Sequence, residues 1–190
     1  MALASTVHPS SIFICSIIVN EDGSDRFEVD IRHRFESCHD GSILSLDWAD
    51  SKKITNNCAH DTCTNGRIVS CAEDCRAYIW EFDDRLGLWK ASQVFLNNCC
   101  APLYCKWNNT GEKVALAMGG KHKSSSLQVC TFHEETQEWV SLQVGRREIK
   151  SSVLHLSWRP HRCDKEELVA CGGCDFRLRI FNVSNGCEGR

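Results

Sequence analysis

Apolar and polar residues alternate along this chain in short runs, and no window keeps a 3.6-residue period for three turns. The runs are separated by clusters of Gly, Asn, Asp and Ser, the pattern of strands joined by turns. Three of them end alike: SILSLDW at Trp48, PLYCKW at Trp107 and SVLHLSW at Trp158, at intervals of 59 and 51 residues. A polar loop and a second apolar run follow each, RIVSC (67–71), KVALAM (113–118) and ELVACG (167–172). A third run then ends in an aromatic, RAYIW at Trp80, LQVCTF at Phe132 and RLRIF at Phe181. Fourth strands are read in WKASQVFL from Trp89 and WVSLQV from Trp139, each shortly after a turn. A four-stranded sheet repeating about every 50 residues has two apolar faces and must stack on neighbours, which is the arrangement of propeller blades. An ordinary β-sandwich with unrelated tryptophans is the competing reading; matched aromatics on two different strands argue against it. The expected fold is all-β, a propeller with an incomplete ring of two complete four-stranded blades (37–97 and 98–145) and two partial ones (1–36 and 146–190). Trp48, Trp107, Phe132, Trp158 and Phe181 are the expected blade-core aromatics.

The unit opening at His39-Asp40-Gly41 fits the WD-repeat consensus most closely, with Ser70 on its second strand, Asp74 in the next turn and Trp80 closing the third. In a WD blade these types form a buried chain, indole N–H to hydroxyl, hydroxyl to imidazole, imidazole to carboxylate. At about 1 kcal/mol net per bond it fixes strand register more than it adds overall stability. The last unit keeps Asp175 but places Cys171 at the Ser position and Phe181 at the Trp position, so packing must replace the network there.

Composition narrows the class further. The 22 Lys and Arg against 25 Asp and Glu give a formal charge of −3, with no net attraction for nucleic acid or anionic lipid. IFICSIIV (12–19) is too short to span a bilayer, and no Lys or Arg precedes it as a signal peptide would require. The 14 cysteines among 190 residues are unusual, yet Cys15, Cys105, Cys130 and Cys171 sit inside apolar runs, where a free thiol acts as a small hydrophobe. Reduced thiols are therefore expected ahead of disulfides.

Two stretches resemble a narrower family than WD repeats at large: Ser70 to Gly120, beginning SCAEDCRAYIW, and Ser151 to Val183, with SVLHLSWRP and CDFRLRIF. Both are similar to the WD-repeat subunits of the actin-related protein 2/3 complex, the nucleator of branched actin filaments. From His39 the resemblance covers about three quarters of the chain. It implies a non-enzymatic scaffold that meets the other subunits of that complex and, indirectly, actin filaments and acidic nucleation-promoting factors, in the cytoplasm at the actin cytoskeleton. The loop 51–66 and the stretch 162–167 are longer than the family's usual turns. Family members carry about seven blades, so an N-terminal half or truncated form is expected. The insertion that carries the family's mother-filament contact comes later in those chains and has no counterpart in this sequence.

No catalytic set is expected, because the only His-Ser-Asp grouping is the WD network. Cys58, His60 and Cys63 in the long loop are the residues best spaced for zinc, but a polar insertion of this kind is more commonly just solvated, and neither metal nor cofactor is expected. Basic clusters at Lys121 and Lys123, at Arg146, Arg147 and Lys150, and at Arg159 and Arg162 are candidate contacts for acidic partners, with a merely solvated face as the alternative. A generic WD-repeat protein-interaction adaptor is the competing function; nucleic-acid binding and membrane insertion are not expected.

Overall fold

The computed structural model describes residues 2–4, 10–19, 27–36, 38–49, 66–120, 127–160 and 166–184. All fourteen elements among them are strands, and no helix there is long and apolar enough to cross a membrane. A three-stranded sheet comes first, β1 (Ala2–Ala4), β2 (Ile12–Val19) and β3 (Phe27–Phe35), in that spatial order. Two four-stranded meanders follow, β4 (Ile43–Trp48), β5 (Arg67–Ala72), β6 (Ala77–Asp83) and β7 (Leu88–Phe95), then β8 (Pro102–Trp107), β9 (Lys113–Met118), β10 (Leu127–His133) and β11 (Glu138–Val144). The last sheet holds β12 (Val153–Trp158), β13 (Leu168–Gly173) and β14 (Leu178–Asn182). Consecutive strands within each blade pair antiparallel.

The first strands β4, β8 and β12 lie against one another, and β1 against β4, so four blades fan around a common inner edge. This is a β-propeller with an incomplete ring. The opening blade has three strands among the described residues, one more than the two closing strands expected from the sequence. The two complete blades are also joined at their outer margin: β7 pairs in parallel with β11 at Trp139–Val94 and Val140–Phe95, making one eight-stranded sheet.

Burial follows the alternation. Val69, Cys71, Ile79, Leu116, Cys130 and Trp139 fill the space between the two complete blades. Ala115, Ala117, Leu127, Leu156, Trp158 and Val169 fill the next space, and Ile12, Ile14, Ile68 and Trp80 the first. Each blade thus gives one face to the blade before it and the other to the blade after.

Register shows which aromatics are equivalent. Trp48 and Trp80 both flank Ile68, and Trp158 and Phe181 both flank Val169. In the third blade Trp107 and Cys130 flank Val114, so Cys130, not Phe132, stands where Trp80 does. Phe132 pairs with Trp139 as Phe82 pairs with Trp89. Expected in a blade core, Phe132 is 38% exposed at the rim, and Trp139 takes the buried site, packed edge-on against Trp107. Trp107 and Trp158 are buried, while Trp48 and Phe181 are half-buried at the edges of their clusters.

Candidate functional site

His39 precedes β4, Ser70 sits on β5, Asp74 occupies the β5–β6 turn and Trp80 lies on β6. The meander brings the four together. Trp80 Nε1–H donates to Ser70 Oγ at 2.9 Å, Ser70 Oγ lies 2.8 Å from His39 Nε2, and His39 Nδ1 lies 2.9 Å from Asp74 Oδ2. A carboxylate only accepts, so Nδ1 carries the proton, Nε2 accepts from the hydroxyl, and the hydroxyl oxygen accepts from the indole. Every member is satisfied. Burial holds the His39 pKa below its ordinary value, with the Asp74 hydrogen bond opposing it, which keeps the imidazole in the neutral form this chain needs. Asp74 also accepts from the backbone N–H of Asp40 and Arg76, fixing the turn to the strand entry. Ser70 is fully buried with its oxygen against the Trp80 indole, so the hydroxyl is not open to a substrate.

The other complete blade puts Leu116 at the Ser70 place, and a different polar cluster replaces the network. Gln128 Oε1 accepts from the Asn97 N–H at 3.2 Å and lies 2.7 Å from Ser141 Oγ, while Asn97 Nδ2 donates to the Ser141 carbonyl. Ser141 Oγ also reaches the Phe95 carbonyl at 2.7 Å, so the cluster ties the outer strands β7 and β11 together. Nothing in sequence periodicity marks it; a Gln inside an apolar strand was the available signal. In the last blade Asp175 is clamped by Arg179, whose guanidinium holds the carboxyl below the usual range.

Inner strands are cross-linked as well. Asp47 Oδ2 accepts the Trp107 backbone N–H at 2.7 Å and Oδ1 meets Lys106 Nζ at 2.6 Å. Trp158 Nε1–H donates to the Lys106 carbonyl, and one strand further out Lys113 on β9 pairs with Glu167 at the entry to β13.

The basic candidates separate in space. Arg146, Arg147 and Lys150 are exposed in the loop before β12, held by a turn in which the Gly145 carbonyl accepts from Glu148 and Ile149 N–H and Ile149 is buried. Gly145 has φ +67°, and an added Cβ would stand 2.6 Å from the Phe181 ring. Arg159 follows β12 at the opposite end of the strand, half-buried, with its guanidinium donating to the Glu166 carbonyl. Lys121, Lys123 and Arg162, and the zinc candidates Cys58, His60 and Cys63, lie outside the described residues. No group of three or more His, Cys, Asp or Glu among the described residues is placed to hold a metal ion. Cys171 is buried on β13 and Cys174 exposed in the turn beyond it, and none of the ten described cysteines is in a disulfide. In the cleft lined by Arg67, Glu81, Asp83, Asp84, Arg85 and Lys90, Arg67 pairs with Glu81 and Lys90 with Asp83.

Comparison with known proteins agrees with this geometry. No family model matches the chain. It is 33% identical over 145 residues to actin-related protein 2/3 complex subunit 1A-B of Xenopus laevis, covering 76% of this chain and 33% of that protein. Subunit 1 of Schizosaccharomyces pombe is 30% identical over 147 residues, and that of Saccharomyces cerevisiae 33% over 125. The chain thus spans about a third of the length of the curated relatives it matches. Among solved structures, Sqt1 of Chaetomium thermophilum superposes with a TM-score of 0.58 over 95% of this chain and 42% of its own, at 13% identity, which shows the propeller fold alone. Over three quarters of its length, the chain is related to subunit 1 of the actin-related protein 2/3 complex.

Proposed function

We propose that this chain serves as a non-catalytic scaffold surface of an actin-related protein 2/3 complex, supporting nucleation of branched filaments by holding other subunits. The observation that carries the reading is the 33% identity to subunit 1 over 145 residues. The His39–Ser70–Asp74 group is buried and closed on itself, which agrees with a role in surface rather than chemistry. Arg146, Arg147 and Lys150, presented together by the Gly145 turn, are the described residues best placed to meet acidic partners. Neighbouring subunits are the direct contacts, filaments and acidic nucleation-promoting factors the indirect ones, and the location is the cytoplasmic actin cytoskeleton.

The test is affinity purification of the tagged chain from its own cells with quantitative mass spectrometry. Actin-related proteins and the small complex subunits should be enriched together. Enrichment of ubiquitin-ligase or vesicle-coat components without them would replace this reading with a generic adaptor. Joint charge reversal of Arg146, Arg147 and Lys150 should reduce recovery of the partners at least several-fold if those cations carry the contact.

A further inference from the structure

Three cysteines meet in the packed space between the two complete blades. Cys71 on β5, Cys105 on β8 and Cys130 on β10 are all buried and share one apolar cluster. Ser45 on β4 brings the first two together: it stands opposite Cys71 in the ladder, and its Oγ accepts the Cys105 backbone N–H at 3.3 Å. The Cys105 thiol lies against the strand that carries Cys71, 3.8 Å from the Val69 carbonyl and within hydrogen-bonding reach of the Cys71 thiol. Cys130 is placed differently. It shares a sheet with Cys105, but β9 runs between them, with Val114 opposite Cys130 and Leu116 opposite Cys105. Two ladder steps of about 4.8 Å set their Cα atoms beyond the roughly 7 Å that a disulfide can bridge. Both blades are complete in four strands, so the pair's surroundings come from the chain itself.

We propose that Cys71 and Cys105 are an oxidation site that closes, under hydrogen peroxide, into a disulfide stapling the second blade to the third. One sulfur attacks a peroxide oxygen and breaks the O–O bond, giving a sulfenic acid and one water. The other sulfur then attacks the sulfenic sulfur, the S–S bond forms, and the second oxygen leaves as water with the remaining thiol proton. Peroxide is thereby reduced to two waters and the two thiols are oxidised to one disulfide. The hydrogen bond with Cys105, together with burial, holds the Cys71 thiol well above its ordinary pKa, so thiolate is scarce and closure is slow. The same burial shields the finished bond from reducing thiols. Slow to form and slow to break in the folded chain, the staple records sustained oxidation rather than a brief pulse. This site stands apart from the chain's place in a larger complex.

The test uses the folded full chain with its accessible thiols first capped by N-ethylmaleimide. It is held in hydrogen peroxide, unfolded, capped again with iodoacetamide, and mapped by non-reducing peptide mass spectrometry with fragmentation. A link between Cys71 and Cys105 is expected, two hydrogens lighter than the free peptides. The oxidised chain should show a higher urea midpoint than the equally capped, untreated chain, because the cross-link constrains the unfolded state. Dithiothreitol should leave the link intact in the folded chain over a time that reduces it fully in urea. Cys130→Ala should form the link as the parent does. Absence of the link, a link from either cysteine to Cys130, capping of Cys71 or Cys105 by N-ethylmaleimide before unfolding, loss of the link in Cys130→Ala, equally fast reduction in the folded chain, or an unraised midpoint would each overturn the staple.

Discussion

Ser70→Ala tests the buried network at its centre. The hydroxyl is the only group bridging the Trp80 indole and the His39 ring, at 2.9 Å and 2.8 Å, in a site where all three residues are buried. Removing one oxygen opens little space, so the cavity contribution is small. What remains is an indole N–H and an imidazole nitrogen, both shut off from water. Each orphaned group costs about 1–3 kcal/mol, and His39 cannot rescue itself by switching tautomer because Asp74 needs the Nδ1 proton. The expected loss is about 2–4 kcal/mol. Trp80→Phe removes one donor and leaves the Ser70–His39 bond, costing about 1–2 kcal/mol. In the Ser70→Ala background, however, Trp80→Phe removes an orphan and should cost nearly nothing, giving a coupling of about 1 kcal/mol or more. Urea unfolding followed by tryptophan fluorescence and far-ultraviolet circular dichroism gives all four corners of the cycle. If Ser70→Ala stays within about 0.5 kcal/mol of the parent, or the two changes add, the hydroxyl is not holding these groups and the network argument fails.

Because burial lowers the His39 pKa, the unfolded chain takes up this proton first as pH falls. Stability should be level above neutrality and drop below about pH 6.5, with a shallower drop in His39→Gln; parallel curves in urea titrations at several pH values would refute the assignment. Native-state alkylation read by mass spectrometry should label exposed Cys99 and Cys174 quickly and leave buried Cys71 and Cys130, both with raised pKa values, unlabelled until unfolding. Gly145→Ala combines a left-handed φ with a Cβ pressed into the Phe181 ring, so a loss of about 1–3 kcal/mol is expected; an unchanged melting temperature would contradict the turn geometry.

The strands were legible because their faces differ: KVALAM and PLYCKW occupy the ranges that alternation assigned them, and the tryptophans ending β4, β8 and β12 are equivalent by register. Phe132 was misplaced because counting aromatics cannot see a two-residue offset. At the place of Trp80 the third blade uses Cys130, small enough to leave room for Trp139 from the adjacent strand. Chain topology hid the Gln128–Ser141–Asn97 cluster, since its members come from two strands and a connection and meet only when the blades are assembled. β12 places Arg159 at the other end of the strand from Arg146 and Arg147.

The parallel β7–β11 seam alters how the molecule can come apart. In an ordinary propeller each blade touches its neighbours by side chains alone and can swing outward about its inner strand. Here the two middle blades are laced at the rim by backbone hydrogen bonds and at the hub by Asp47, so neither can hinge without tearing one of the two margins. Breathing is confined to the flanking sheets, and amide protons on β5 and β9 should exchange with solvent only through a single concerted opening, while those of β13 escape earlier.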